Sequence, residues 1–166
     1  MRTLATLFRL PDAGRAAGER AFPAATLQAI TKLISHGESV HRAEIKLVID
    51  TASCGKPIAN KRLTRQRAVH LFSQYRIWDT EENCGILVYL NLADRKVEII
   101  ADRCVNRALS PADWHAVCQI MVKGFGAGLF HDSVLAALEH LNSLLHEHFP
   151  SHGTRRHELS DKPLIL

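Results

Sequence analysis

Apolar positions recur along the chain with two periods, and the switches between them mark out its elements. In residues 24–36, Leu27, Ile30, Leu33 and Ile34 form the stripe of a helix, entered at Phe22-Pro23 and ended by Gly37. Residues 43–50 (AEIKLVID) predict a strand that turns wholly apolar towards its end, the pattern of a strand buried on both faces. A loop punctuated by Gly55 and Pro57 follows. Helical spacing resumes over 63–75, with Ala68, Leu71, Phe72 and Tyr75 on one face. Residues 86–92 and 96–101 are rich in β-branched and aliphatic side chains. Only Ala93, Asp94 and Arg95 separate them, which predicts an antiparallel hairpin, with Leu92 opposite Arg95 if the turn is of two residues. Ser110-Pro111 signals a helix start, and Trp114, Val117, Cys118, Met121 and Phe125 are the inward positions of a helix over 111–125. The glycines from Gly124 to Gly128 break it. A last helix over 130–148 carries Val134, Ala137, Leu138, Leu141 and Leu145 at core spacing.

The strand–helix–strand order 43–50, 63–75, 86–92 is a crossover unit, so its strands are parallel, and the hairpin strand adds antiparallel. The expected fold class is α/β: a three-layer α/β/α sandwich with a small mixed sheet of three to four strands. Residues 1–19 read as an irregular N-terminal segment, 20–150 as one domain and 151–166 as a loose C-terminal tail.

Composition narrows the class. A chain of 166 residues with 46% hydrophobic and 23% charged content is long enough for one domain with a proper core. No run of about 18 apolar residues exists, so no transmembrane segment is expected. Arg9, Asp12 and Arg15 interrupt the N-terminus before a signal-peptide core forms. Cysteines at 54, 84, 104 and 118 form no CxxC and read as reduced thiols. Together these point to a cytoplasmic protein. The net charge of +4 is concentrated in the helix 61–76 and around Arg155 and Arg156, and a solvated helix face explains it better than an anionic partner. With 6% aromatic residues and no aromatic–basic stripe, a nucleic-acid module is excluded. The expected partner is another protein.

The hairpin concentrates the candidate chemistry. It returns Asp102, Arg103 and Cys104 beside Asp79, Glu82 and Cys84. Carboxylates are the donors a hard divalent cation takes, so Asp79, Glu82 and Asp102 are candidate metal ligands. The plainer alternative is helix-capping and turn roles, with Arg103 as a local ion pair. At the other end of the sheet, Asp94 and Arg95 sit beside Asp50, at the strand ends where open α/β sheets bind ligands; a turn-stabilising role is the alternative for Asp94. Cys84 and Cys104 are a candidate thiol pair, against two independent buried thiols. Of ten histidines, His140, His146, His148, His152 and His157 crowd the C-terminal end, but 146 and 148 lie on different helix faces and no HExxH occurs. No GxSxG or P-loop is present. Phosphate-ester hydrolysis would therefore need a metal-bound water or an aspartate nucleophile, with Arg95 or Arg103 holding the phosphate.

The order and wording of several blocks resemble the TPM domain family. They are RAFP at 20–23, HRAEIKLVID at 41–50, RAVHLF at 67–72, YRIWDTEENCGILVYL at 75–90, LADRKVEIIADR at 92–103, and Trp114 followed by GFGAGLFHDSVLAALEHLNSLLHEHFP. The resemblance is to the short bacterial members without a signal peptide. It implies an α/β/α sandwich and a regulatory or adaptor role, with calcium binding at acidic residues in some members and weak acid phosphatase activity in others. On that resemblance calcium, or another divalent cation, is the expected cofactor, and a weak metal-assisted phosphomonoesterase is the alternative function. Two departures stand at the hairpin ends. Cys104 replaces a glycine that follows Asp-Arg in the family, and Cys84 separates Asn83 from Gly85. If that glycine serves a positive φ or a close backbone approach, Cys104 reshapes the loop.

Overall fold

The computed structural model describes residues 14–52, 61–153 and 158–166. The element that organises it is β2, Gly85–Asn91, a strand without a charged side chain whose every residue is buried. That is possible only when both sheet faces are covered. β2 pairs in parallel with β1 (Glu44–Asp50) and antiparallel with β3 (Lys96–Ala101). A short β4, Leu164–Ile165, adds parallel to β1, giving the order β3-β2-β1-β4.

Helix α3, Lys61–Gln74, joins β1 to β2 and covers one face, where Ala68, Leu71 and Ile77 pack with Val48, Leu87, Tyr89 and Ile100. The larger core lies on the other face. There α2 (Ala24–Val40), α5 (Pro111–Gly126) and α6 (Phe130–His148) bury Ile30, Ile34, Val117, Met121, Leu138 and Leu141 with Ile45, Leu47, Ile49, Val88, Leu90 and Ile99 of the sheet. Two short helices complete the chain, α1 (Arg15–Ala21) and α4 (Arg103–Ala108). The result is the expected α/β sandwich with a small mixed sheet. Asn91 faces Lys96 in the ladder, so the hairpin has the predicted register. Ser110 and Asp113 form a reciprocal capping box at the start of α5, with proline in the first turn. Among the described residues, no helix is long and apolar enough to cross a membrane.

Four expectations are corrected. Gly37 does not end α2, which continues to Val40. It is glycine because Asn142 of α6 presses on it: a Cβ there would lie 2.3 Å from the Asn142 Oδ1. α5 likewise runs through Gly124 to Gly126 before the chain turns. The segment expected to be irregular up to residue 19 is helical from Arg15, with only Ala17 and Gly18 buried, so it has no apolar stripe for periodicity to detect. It is held from outside by Phe22, whose ring meets Phe125 and Phe130 edge-on at centroid distances of 6.1 and 5.9 Å. Residues 158–166 are not a loose tail. β4 is paired to β1, and Leu159, Leu164 and Leu166 pack against the α3-side core. Gly55, Pro57, Cys54, Arg155, Arg156 and His157, like the start of the N-terminal segment, lie outside the described residues.

The junction between α2 and β1 carries a buried polar pair. His41 is fully buried, and its Nε2 meets the Asn142 Oδ1 at 3.0 Å, while the Asn142 Nδ2 donates to the Leu33 carbonyl at 3.0 Å. Burial holds the His41 pKa below the ordinary 6.5, against the opposing pull of its bond to Asn142. The unfolded chain therefore binds this proton more readily than the folded one. The contribution is complete above the unfolded pKa and is lost as pH falls below about 6.5. Between pH 7 and 5, His41→Gln loses less stability than the wild type, measured by urea denaturation at each pH. Equal slopes would remove His41 from the account.

A second prediction concerns the entry to β2. At Gly85 a Cβ would fall 1.9 Å from the Ile77 carbonyl oxygen, which is backbone and has no rotamer to retreat into. Gly85→Ala should lower stability by about 1–3 kcal/mol or more, as overpacking does. The readout is a lowered urea midpoint at unchanged m-value.

Candidate functional site

The two ends of the β2–β3 hairpin are chemically different. At the end where β2 begins, the backbone brings the predicted segments together: Asp102 N donates to Gly85 O at 2.9 Å, and Cys104 N to Asn83 O at 3.3 Å. The side chains do not converge. Glu82 pairs with Arg42 at 2.6 Å, and the Arg42 guanidinium lies 4.3 Å over the Phe149 ring. Asp79 makes an exposed pair with Arg76 at 3.2 Å, three residues back. Asp102 is the N-cap of α4, its Oδ1 accepting from Arg103 N at 2.6 Å. Its other oxygen, Oδ2, is buried without a hydrogen-bond partner. Arg103 begins the helix and is exposed. Among the described residues, no group of three or more His, Cys, Asp or Glu side chains is placed to hold a metal ion.

The described cysteines, Cys84, Cys104 and Cys118, are free thiols in separate settings. Cys84 is buried and its Sγ donates to the Arg42 carbonyl at 2.9 Å, while Cys104 is a half-buried α4 residue against the larger core. Position 104 is helical, and the non-glycine residues with positive φ are Arg76, Asn83 and Arg95 among those described. Cys104 thus occupies a place that needs no glycine. The close approach belongs to Gly85, which the chain keeps. Of the histidines, His146 and His148 stand in the last turn of α6, where the helix dipole favours a cation.

At the opposite end, Asp94 and Arg95 are in the turn, with Arg95 at φ +54°. Asp94 N donates to the Asn91 Oδ1 at 2.6 Å, so the turn is stabilised by the asparagine before it. Beneath this turn lies a polar network wider than the Asp50–Asp94–Arg95 group read from the sequence. Asp50, Asn91 and Lys96 are partners in one row across the sheet, and Tyr89 and Glu98 are partners two residues further along. The buried Asp50 carboxylate accepts from Tyr89 Oη at 3.0 Å, Arg67 Nε at 3.3 Å and Ala52 N at 2.9 Å. Asn91 Nδ2 donates to Tyr89 Oη and to Ala52 O, both at 3.0 Å. From α3, Thr64 accepts from Lys96 Nζ at 3.2 Å, and Arg65 reaches Glu98 at 3.4 Å and Ile99 O at 2.9 Å.

Burial raises the Glu98 pKa, with Arg65 opposing. Glu98 in turn adds to burial in pushing the Cys118 thiol up to about 12, far from the thiolate range of a nucleophile. The signal for this network was present in the sequence. Asp50, Asn91 and Glu98 are among the polar positions of these mostly apolar strands, and the hairpin register with a parallel β1 brings them towards one end of the sheet.

Residues 18–144 match the TPM domain family. Among solved structures, the chain resembles the NMR structure of the BA42 protein from the psychrophilic bacterium Bizionia argentinensis, with a TM-score of 0.76 and 21% identity over 87% of this chain and 94% of that one. At that identity the likeness is one of fold. A comparison with curated proteins finds no match.

Tyr89→Phe keeps the ring and removes the hydroxyl that links Asp50 to Asn91. Because a buried carboxylate loses a donor, the cost should be about 1–3 kcal/mol, read from denaturant unfolding. A change within error would show the network to be incidental to stability.

Proposed function

Since the chain belongs to the TPM domain family, we propose that it acts as a regulatory or adaptor domain that contacts a protein partner and carries out no chemistry of its own. The observation that supports this reading is the state of the carboxylates expected to do chemistry. Glu82 is bound by Arg42, Asp79 by Arg76, and Asp102 caps α4. A catalytic carboxylate needs an unspent face towards substrate or metal. Of the described thiols, Cys84 is buried and the Cys118 thiol is held protonated, so neither of these two offers a substitute.

A second reading has one observation in its favour. The Asp102 Oδ2 is buried with no hydrogen-bond partner, and a hard cation such as calcium would satisfy it. That reading includes the metal-assisted phosphomonoesterase, in which the cation would activate water and Arg103 would hold the phosphate.

One experiment separates the two. Hydrolysis of p-nitrophenyl phosphate is followed with millimolar calcium, magnesium or manganese, for the wild type and Asp102→Asn. The adaptor reading expects the same background rate from both proteins, and no heat on titration with the metals. Turnover above background that Asp102→Asn abolishes would overturn it in favour of the phosphatase. Metal-binding heat that disappears in the variant, without turnover, would make the adaptor a cation-dependent one.

A further inference from the structure

Residues 158–166 lie beyond the part of the chain that matches the family, yet they complete the sheet. They bind in an extended form, and the groups that hold them read main chain rather than side chain. Leu166 N donates to Ile49 O at 2.9 Å, and Leu166 O accepts from Thr51 N at 3.4 Å and from Thr51 Oγ1 at 2.8 Å. Lys46 Nζ donates to two carbonyls, those of Ser160 and Lys162, both at 2.8 Å. The Glu44 carboxylate accepts from Glu158 N at 3.2 Å and Leu159 N at 2.9 Å. Leu159, Leu164 and Leu166 enter the α3-side core, while Ile165 meets the other. This is how a sheet edge takes an added peptide strand: backbone hydrogen bonds supply affinity, and alternate side chains supply selectivity.

The bound segment is also weakly committed. Its ladder is two residues long, and none of residues 158–166 is buried. Short pairings at a sheet edge open at lower cost than a core. Both ends of the connection are held on this domain, Ser151 N by Val40 O at 2.9 Å and Glu158 N by Glu44, so the segment closes on its own sheet.

We propose that the β1 edge, with Glu44, Lys46 and Thr51, is a strand-acceptor site for an extended segment of a partner protein, and that residues 158–166 are a displaceable internal occupant of it. The partner segment has the occupant's chemistry. It is extended, with leucine-like side chains at alternate positions as at 164 and 166, and an acidic residue at the place of Asp161, between the Ser160 and Lys162 carbonyls that Lys46 holds. This deepens the adaptor reading and rests on it, naming the edge through which the partner is held.

The test uses the full chain and a fluorescein-labelled peptide of sequence ELSDKPLIL, with binding read by fluorescence anisotropy. A Leu164→Asp, Leu166→Asp variant disables the internal occupant. It should bind the peptide about tenfold more tightly than the wild type or better, because an edge open only part of the time weakens apparent affinity in proportion. The same peptide carrying both aspartates should not bind. Absent binding to a variant that still melts cooperatively, or equal binding to variant and wild type, overturns the proposal. A concentration-dependent dimer of the wild type overturns internal occupancy in favour of exchange between copies.

Should the variant fail to fold, hydrogen exchange on the wild type decides the matter. The Leu166 amide is expected to exchange much faster than those of β2, and exchange only through global unfolding would rule the displaceable occupant out. Failure here leaves the adaptor reading standing, since hydrolysis and metal binding decide that one.

Discussion

A strand with water on neither side must settle all its polar business internally. β2 is in that position, buried from Gly85 to Asn91. Its backbone is satisfied by β1 on one side and β3 on the other. Its faces are satisfied by α3 and by the α2, α5 and α6 layer. The two polar side chains it carries, Tyr89 and Asn91, therefore require partners from neighbouring elements. Unpaired, each would forfeit hydration worth a few kcal/mol. Asp50, the Ala52 carbonyl and the Asp94 amide supply them. Arg67 then reaches Asp50 from α3, so the position of that helix follows from the demands of the strand beneath it. The glycine at the strand's start has the same origin, because the Ile77 carbonyl passes where a side chain would stand.

This constraint explains why the two hairpin ends differ. At the β1 carboxyl end the polar groups are buried and mutually bonded, so they act as one unit. At the other end the acidic residues are on short surface segments, each beside its own basic or capping partner. Sequence proximity across a hairpin guarantees adjacent backbones. It does not guarantee convergent side chains, since an exposed carboxylate pairs with whatever cation or free amide is local. Asp79 with Arg76 and Asp102 with the α4 amide are examples.

Much of the fold was legible in the chain because its major elements carry their own period. α6 is found where its stripe of Val134, Leu138, Leu141 and Leu145 places it, and the hairpin pairs Asn91 with Lys96, the register in which Leu92 would face Arg95. The misread positions depend on contacts distant in sequence. Gly37 has the signature of a helix end, but it is glycine on account of Asn142, more than a hundred residues later. α1 has no stripe because it is anchored from Phe22 onwards, and the 158–166 segment looks loose because it is held through its own backbone, by the Glu44 and Lys46 side chains and the β1 edge, which its own side-chain pattern does not report. At the hairpin mouth the backbones of residues 83–85 and 102–104 meet, while Glu82 is occupied by Arg42, from the α2–β1 junction, which no local motif reveals.

The closure of α2 and β1 by the far end of the chain has a consequence for how the protein is made. Arg42 N bonds Phe149 O at 2.9 Å, Arg42 lies over the Phe149 ring, and Leu33 and His41 both lean on Asn142. During vectorial synthesis the apolar stripe of α2 emerges first and its cover last. At about 5–20 residues per second, that stripe waits on the order of 5–20 seconds for α6 to appear. The nascent chain is thus most vulnerable early, with a finished helix and an unfinished core.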